Sequence, residues 1–131
     1  MNQPIVAPSE LVARFLLYSN CYASLAKRVK YPAFLPARDM NTSVFRVSTL
    51  SENEIWKIGK DDVAKKREKK LHGRADIKAK DILEVGLAVE PETSSHPLHA
   101  NIVNWPLEKQ KQNLFAMKLA ERAKLCLVPT N

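Results

Sequence analysis

Glycine is scarce, with three in 131 residues, at positions 59, 73 and 86. No GxGxxG, GxxxxGK[ST] or GxSxG run is present, which excludes a glycine-rich phosphate cradle and a nucleotide-binding Rossmann unit. Cysteine is scarcer still. Cys21 and Cys126 lie far apart, with neither CxxC spacing nor the density of a disulfide scaffold, so two free thiols in a reducing cytosol are expected. No apolar run approaches the ~20 residues of a membrane span. The longest, LVARFLLY, is interrupted by Arg14. The opening MNQPIVAPSE has no basic stretch and no apolar core of a secretory signal. A cytoplasmic protein without membrane association is the expectation.

What is present reads as one globular domain. A chain of 131 residues with 45% hydrophobic content buries a real core, and no repeat, linker or low-complexity tract divides it. Lys and Arg total 21 against 14 Asp and Glu, a net charge of +7. Such a surplus favours polyanionic partners, nucleic acid or an acidic protein surface, because the summed field attracts them over long range.

Periodicity and turn residues predict a mixed α+β domain, a small and mainly antiparallel sheet with two to three helices packed on it. Residues 1–9 read as an irregular lead-in, 11–18 as a strand, and 19–29 as helix or loop. The segment 31–41, with Pro32 and Pro36, reads as a surface loop. TSVFRVS, 42–48, is rich in β-formers. Ser51 followed by Glu54 is a capping box that starts a helix, and Gly59 is expected to kink or end it. LHGRADI, GLAVEPE, LHANIVNW and the closing LCLVP read as strands, with a helical turn around Asp81. The strongest amphipathic pattern is LEKQKQNLFAMKLAERAK, with Leu107, Leu114, Phe115, Leu119 and Ala123 on its apolar side. Pro106 is placed at its start and Asn104 as its cap.

Three constellations bear on chemistry. In a strand at LHGRADI, alternate residues share a face, so His72, Arg74 and Asp76 form one row. An imidazole, a planar cation and a carboxylate in a row suit a phosphate or a developing oxyanion. Second, His99 and Asn101 share a face of HANIVNW by the same rule. If the two strands are near neighbours, His72, Arg74, His99 and Asn101 converge, and two histidines flanking a phosphodiester suit acid–base cleavage. Asp76 and Asn101 are then supporting groups. Third, the charge is localised: residues 60–80 hold nine Lys or Arg against four Asp or Glu. Lys65, Lys66, Arg67, Lys69, Lys70, Arg74 and Lys78 are the candidate phosphate contacts.

No metal or cofactor is expected. His96 and His99 are three apart, but Pro97 interrupts the helix that such a pair requires, and no cysteine stands nearby. No Ser or Cys sits in the sequence context of an activated nucleophile.

The order RFLLYS, SVFR, EIWKIG, LHGRAD, GLAVEP and HANIVNWP resembles a group of small, stand-alone bacterial proteins, itself uncharacterised. The resemblance implies a bacterial cytosolic protein and brings no activity or binding residue with it. The residues favour a small basic binding module that docks on nucleic acid or another anionic partner as a component of a larger bacterial assembly. The alternatives are a metal-independent, histidine-dependent phosphodiesterase or nucleotide-processing enzyme, with His72, His99 and Arg74 catalytic, and a regulatory protein that meets its partner through the C-terminal helix.

Overall fold

The structure, a computed structural model, describes residues 5–129. It is a mixed α+β domain built on a six-stranded sheet in which every neighbouring pair is antiparallel. The strands are β1 (Leu11–Leu16), β4 (Thr42–Arg46), β5 (Gly73–Lys78), β6 (Ala88–Pro91), β7 (His99–Val103) and β8 (Lys124–Leu127), in spatial order β6-β7-β4-β1-β5-β8. A short hairpin, β2 (Tyr22–Ala23) with β3 (Arg28–Val29), stands apart from this sheet and turns through Lys27 at φ 52°.

Both faces of the sheet are covered, because the central strands are apolar on alternate residues in both directions. Val12, Leu16, Val44, Ala75, Ile77, Ala100 and Ile102 face one cluster. There they meet Ile82 of α3 (Ala79–Val85) and Ala116, Leu119 and Ala120 of α4 (Lys109–Arg122). Ala13, Phe15, Phe45 and Val47 face the other cluster, under Ile55 and Trp56 of α1 (Glu52–Lys57).

The capping box forms as the sequence predicts. Glu54 N–H donates to Ser51 Oγ, and Ser51 N–H donates to Glu54 Oε1. At Gly59 the helical backbone does not stop, although regular α-turns give way at Ile58. The backbone runs on through a wider π segment (Ile58–Ala64) into a last α-turn, α2 (Lys65–Arg67), and stops where Glu68 adopts a left-handed φ of 53°. At Gly59 the helix packs close on the sheet: a Cβ there would lie 2.7 Å from the Phe15 ring.

Two other expectations are corrected. The segment 31–41 lies only partly on the surface: Tyr31 and residues 37–39 are exposed, but its middle turns inward. Tyr31–Ala33 forms a 3-10 turn against α4, and Phe34 is fully buried. The two prolines shape this segment without excluding it from the core. The last helix begins at Lys109, not at Pro106, and Asn104 does not cap it, being left-handed at φ 71°. The buried stripe of α4 runs through Gln112, Ala116, Leu119 and Ala120, so Leu107 and Leu114 are exposed while Phe115 is half-buried. No helix among the described residues is long and apolar enough to cross a membrane.

Candidate anion-binding site

Arg74 and Asp76 share the α1 face of β5, as alternation requires, but they are engaged with each other. Arg74 Nε lies 3.0 Å from Asp76 Oδ1, one Nη donates to Glu52 at 2.8 Å, and the guanidinium stacks over Trp56. Burial alone would lower the Arg74 pKa; the bonds to Glu52 and Asp76 outweigh it and leave the cation firmly charged. Arg74 is 2% exposed and its carboxylate partners come from the protein itself. This corrects its assignment as a phosphate contact and as a catalytic residue, and Asp76 serves the same buried pair.

His72 and His99 do not converge. Two strands separate β5 from β7, and the register His99–Phe45–Ala13–Asp76 puts His72 four residues further along. At ordinary strand spacing and rise the two are on the order of 20 Å apart. His72 Nδ1 is instead bonded to Tyr22 Oη at 2.9 Å. His96 Nε2 lies 3.5 Å from Asp62 Oδ2. Among the described residues no group of three His, Cys, Asp or Glu could hold a metal ion.

His99 has a different partner. Its Nδ1 is 2.8 Å from the Glu92 carbonyl, which only accepts, so Nδ1 carries the hydrogen. In the neutral ring Nε2 then accepts the Ser43 hydroxyl, at 2.6 Å. Ser43 is on β4 opposite Asn101, next to the Phe45–His99 pair. The pair has the form of a nucleophile, a base and an orienting acceptor. No sequence context could have marked this serine: the two residues are 56 apart, and only strand register unites them.

Arg14 completes the site. β1 and β4 pair only at Val12–Arg46 and Ala13–Phe45, and beyond that point Arg14 bridges outward from β1. Its Nε donates to the Ala33 carbonyl at 2.8 Å and one Nη to the Ser43 carbonyl at 3.0 Å. These acceptors fix the side chain without neutralising its charge. Burial, and then the neighbouring Arg67 charge, hold the Arg14 pKa below its usual value. Arg14 and Arg67 line a cavity of about 40 Å³ together with Tyr18, Ser43 and Val63. They also line the adjoining open pocket of about 480 Å³, with Asn41, Ser43, His99 and Asn101. Asp39 and Glu92 stand in the wider part, where Asp39 accepts from Asn41 N–H and Glu92 from Ser94.

Arg67 belongs to the basic run that the sequence singles out. Lys65, Lys66, Arg67, Lys69 and Lys70 are all exposed at the end of the helix, with Lys69 over the Tyr18 ring. Lys78 is exposed too, but at the far end of β5, so it stands apart from them. Sequence reasoning missed Arg14 and Ser43. The available signal for Arg14 was a single cation inside the otherwise apolar LVARFLL. No family model matches the chain, nor does any curated protein or solved structure.

Proposed function

We propose that the protein is a small basic binding module that docks on a phosphate-bearing partner, nucleic acid foremost, within a larger bacterial cytosolic assembly. One observation carries this reading: Arg14 and Arg67 open on a common pocket without an ion pair among the described residues, and Arg67 continues into the exposed run Lys65–Lys70. Arginines without carboxylate partners are suited to phosphate oxygens, and the surrounding lysines add affinity without reading sequence. Leu114 and Met117, exposed on the outer side of α4, support a protein contact in the same assembly.

The test is fluorescence anisotropy with a short single-stranded oligonucleotide over a range of salt. Changing Lys65, Lys66, Lys69 and Lys70 together to Glu should weaken binding by at least about tenfold and flatten its salt dependence. Unchanged affinity overturns the reading.

The Ser43–His99 contact favours a second reading, metal-independent phosphodiester hydrolysis with His99 as general base and without His72. It requires turnover of bis(p-nitrophenyl) phosphate that His99→Gln abolishes. No turnover above buffer discards it.

A further inference from the structure

We infer that the cavity floored by Arg14 and Arg67 receives a terminal phosphate monoester, offered by a free nucleotide or by the phosphorylated end of a nucleic-acid strand. The inference rests on the anionic-partner reading and names the group that the pocket takes.

The two adjoining spaces, which share Arg14, Ser43 and Arg67, differ in charge. The smaller has two arginines and no carboxylate among its lining residues. Asp39 and Glu92 line only the larger one. A diester backbone lying along the larger space would pass these two negative charges. A monoester offers its charge at one end, and near neutral pH it brings close to two negative charges to the two arginines.

One of the two arginines is held in place before any ligand arrives. Arg14 is fixed by the Ala33 and Ser43 carbonyls, which leave its remaining amino group without a protein acceptor among the described residues. Two cations on one cavity of about 40 Å³ repel each other, and an anion between them relieves that repulsion. The helix contributes through its π segment: Gly59 lets it settle on Phe15, and Val63 and Arg67, four residues apart, both reach the cavity. π segments recur at functional sites because they shift the side chains beyond them around the helix.

The experiment compares internally labelled oligonucleotides of one sequence ending in 5′-phosphate, 3′-phosphate or hydroxyl groups, alongside AMP and adenosine followed by ligand-detected NMR. A terminal phosphate should strengthen binding by about tenfold or more, the scale of one charge-assisted hydrogen bond. Arg67→Ala, at an exposed position, should remove that preference, so that phosphate-ended and hydroxyl-ended strands bind alike. Arg14→Gln should do the same, with circular dichroism confirming its fold. Equal affinity for phosphate and hydroxyl ends, with no AMP binding, overturns the inference and leaves nucleic-acid docking standing. AMP binding lost in Arg67→Ala, with no oligonucleotide bound, supports the inference with a free nucleotide as the source and overturns docking. No binding of any probe overturns both.

Discussion

Gly73 and Gly59 are both places where a side chain is excluded, by neighbours of different hardness. A Cβ at Gly73 would lie 2.6 Å from the Cys126 carbonyl oxygen and 3.1 Å from Leu127 Cα, backbone atoms of the paired strand β8. A Cβ at Gly59 meets side chains alone, the Phe15 ring edge at 2.7 Å and Leu71 Cδ2 at 3.0 Å, and alanine returns up to about 1 kcal/mol of helix propensity. Gly73→Ala should therefore cost about 1–3 kcal/mol or more and Gly59→Ala distinctly less, measured by urea unfolding. Glu10 gives the pH dependence at this scale. Its bonds to Arg46, at 2.8 and 2.9 Å, hold its carboxyl below the ordinary 4.5. Because the folded value lies below the unfolded one, this stabilisation is fully present above about pH 4.5 and fades as pH falls through the folded value. Glu10→Gln should cost about 1–3 kcal/mol at pH 7 and progressively less as pH falls below 4.5, where wild type loses the same interaction.

At the level of elements, Phe34 separates two views of its segment. A phenylalanine in a surface loop is nearly free to mutate, whereas the fully buried Phe34 predicts that Phe34→Ala costs about 3–5 kcal/mol in urea unfolding. The strands were legible where β-branched and aromatic residues cluster, as in TSVFRVS, and the first helix where Ser51 and Glu54 satisfy each other's backbone. These are local effects, carried by neighbouring residues. Phe34 was illegible because its burial is decided by α4, whose sequence lies some eighty residues away, and by Thr42, whose hydroxyl takes the Phe34 carbonyl at 2.8 Å. The α4 stripe was misjudged for a similar reason. Small Ala116 and Ala120 lie inward and Leu114 outward, because a close approach to the sheet admits small residues better than large ones. The row His72–Arg74–Asp76 was read correctly in direction for its last two members, but alternation says nothing of Glu52 and Trp56, which arrive from another element and enclose Arg74.

Over the whole molecule, the sheet divides the protein into two apolar clusters, each closed by its own helices. The candidate pocket draws on β1, β4, β7 and the end of the first helix, so it exists only when strands far apart in sequence have found their register. Both clusters lean on the same central strands and should be lost together. The chain carries its own means of testing this. Trp56 stands in the cluster under α1 and Trp105 in the cluster under α3 and α4, and they are the only two tryptophans. Each is therefore a private optical reporter of one side of the sheet. Trp105→Phe leaves emission from Trp56 alone, and Trp56→Phe leaves Trp105. Within either variant, the emission midpoint in urea should coincide with that of far-ultraviolet dichroism. A lag between them would mean that the two sides of the sheet come apart separately. Trp56 lies against the Arg74 guanidinium at 4.6 Å, while the Trp105 indole N–H donates to the Ile102 carbonyl, so the two reporters sit in chemically different surroundings.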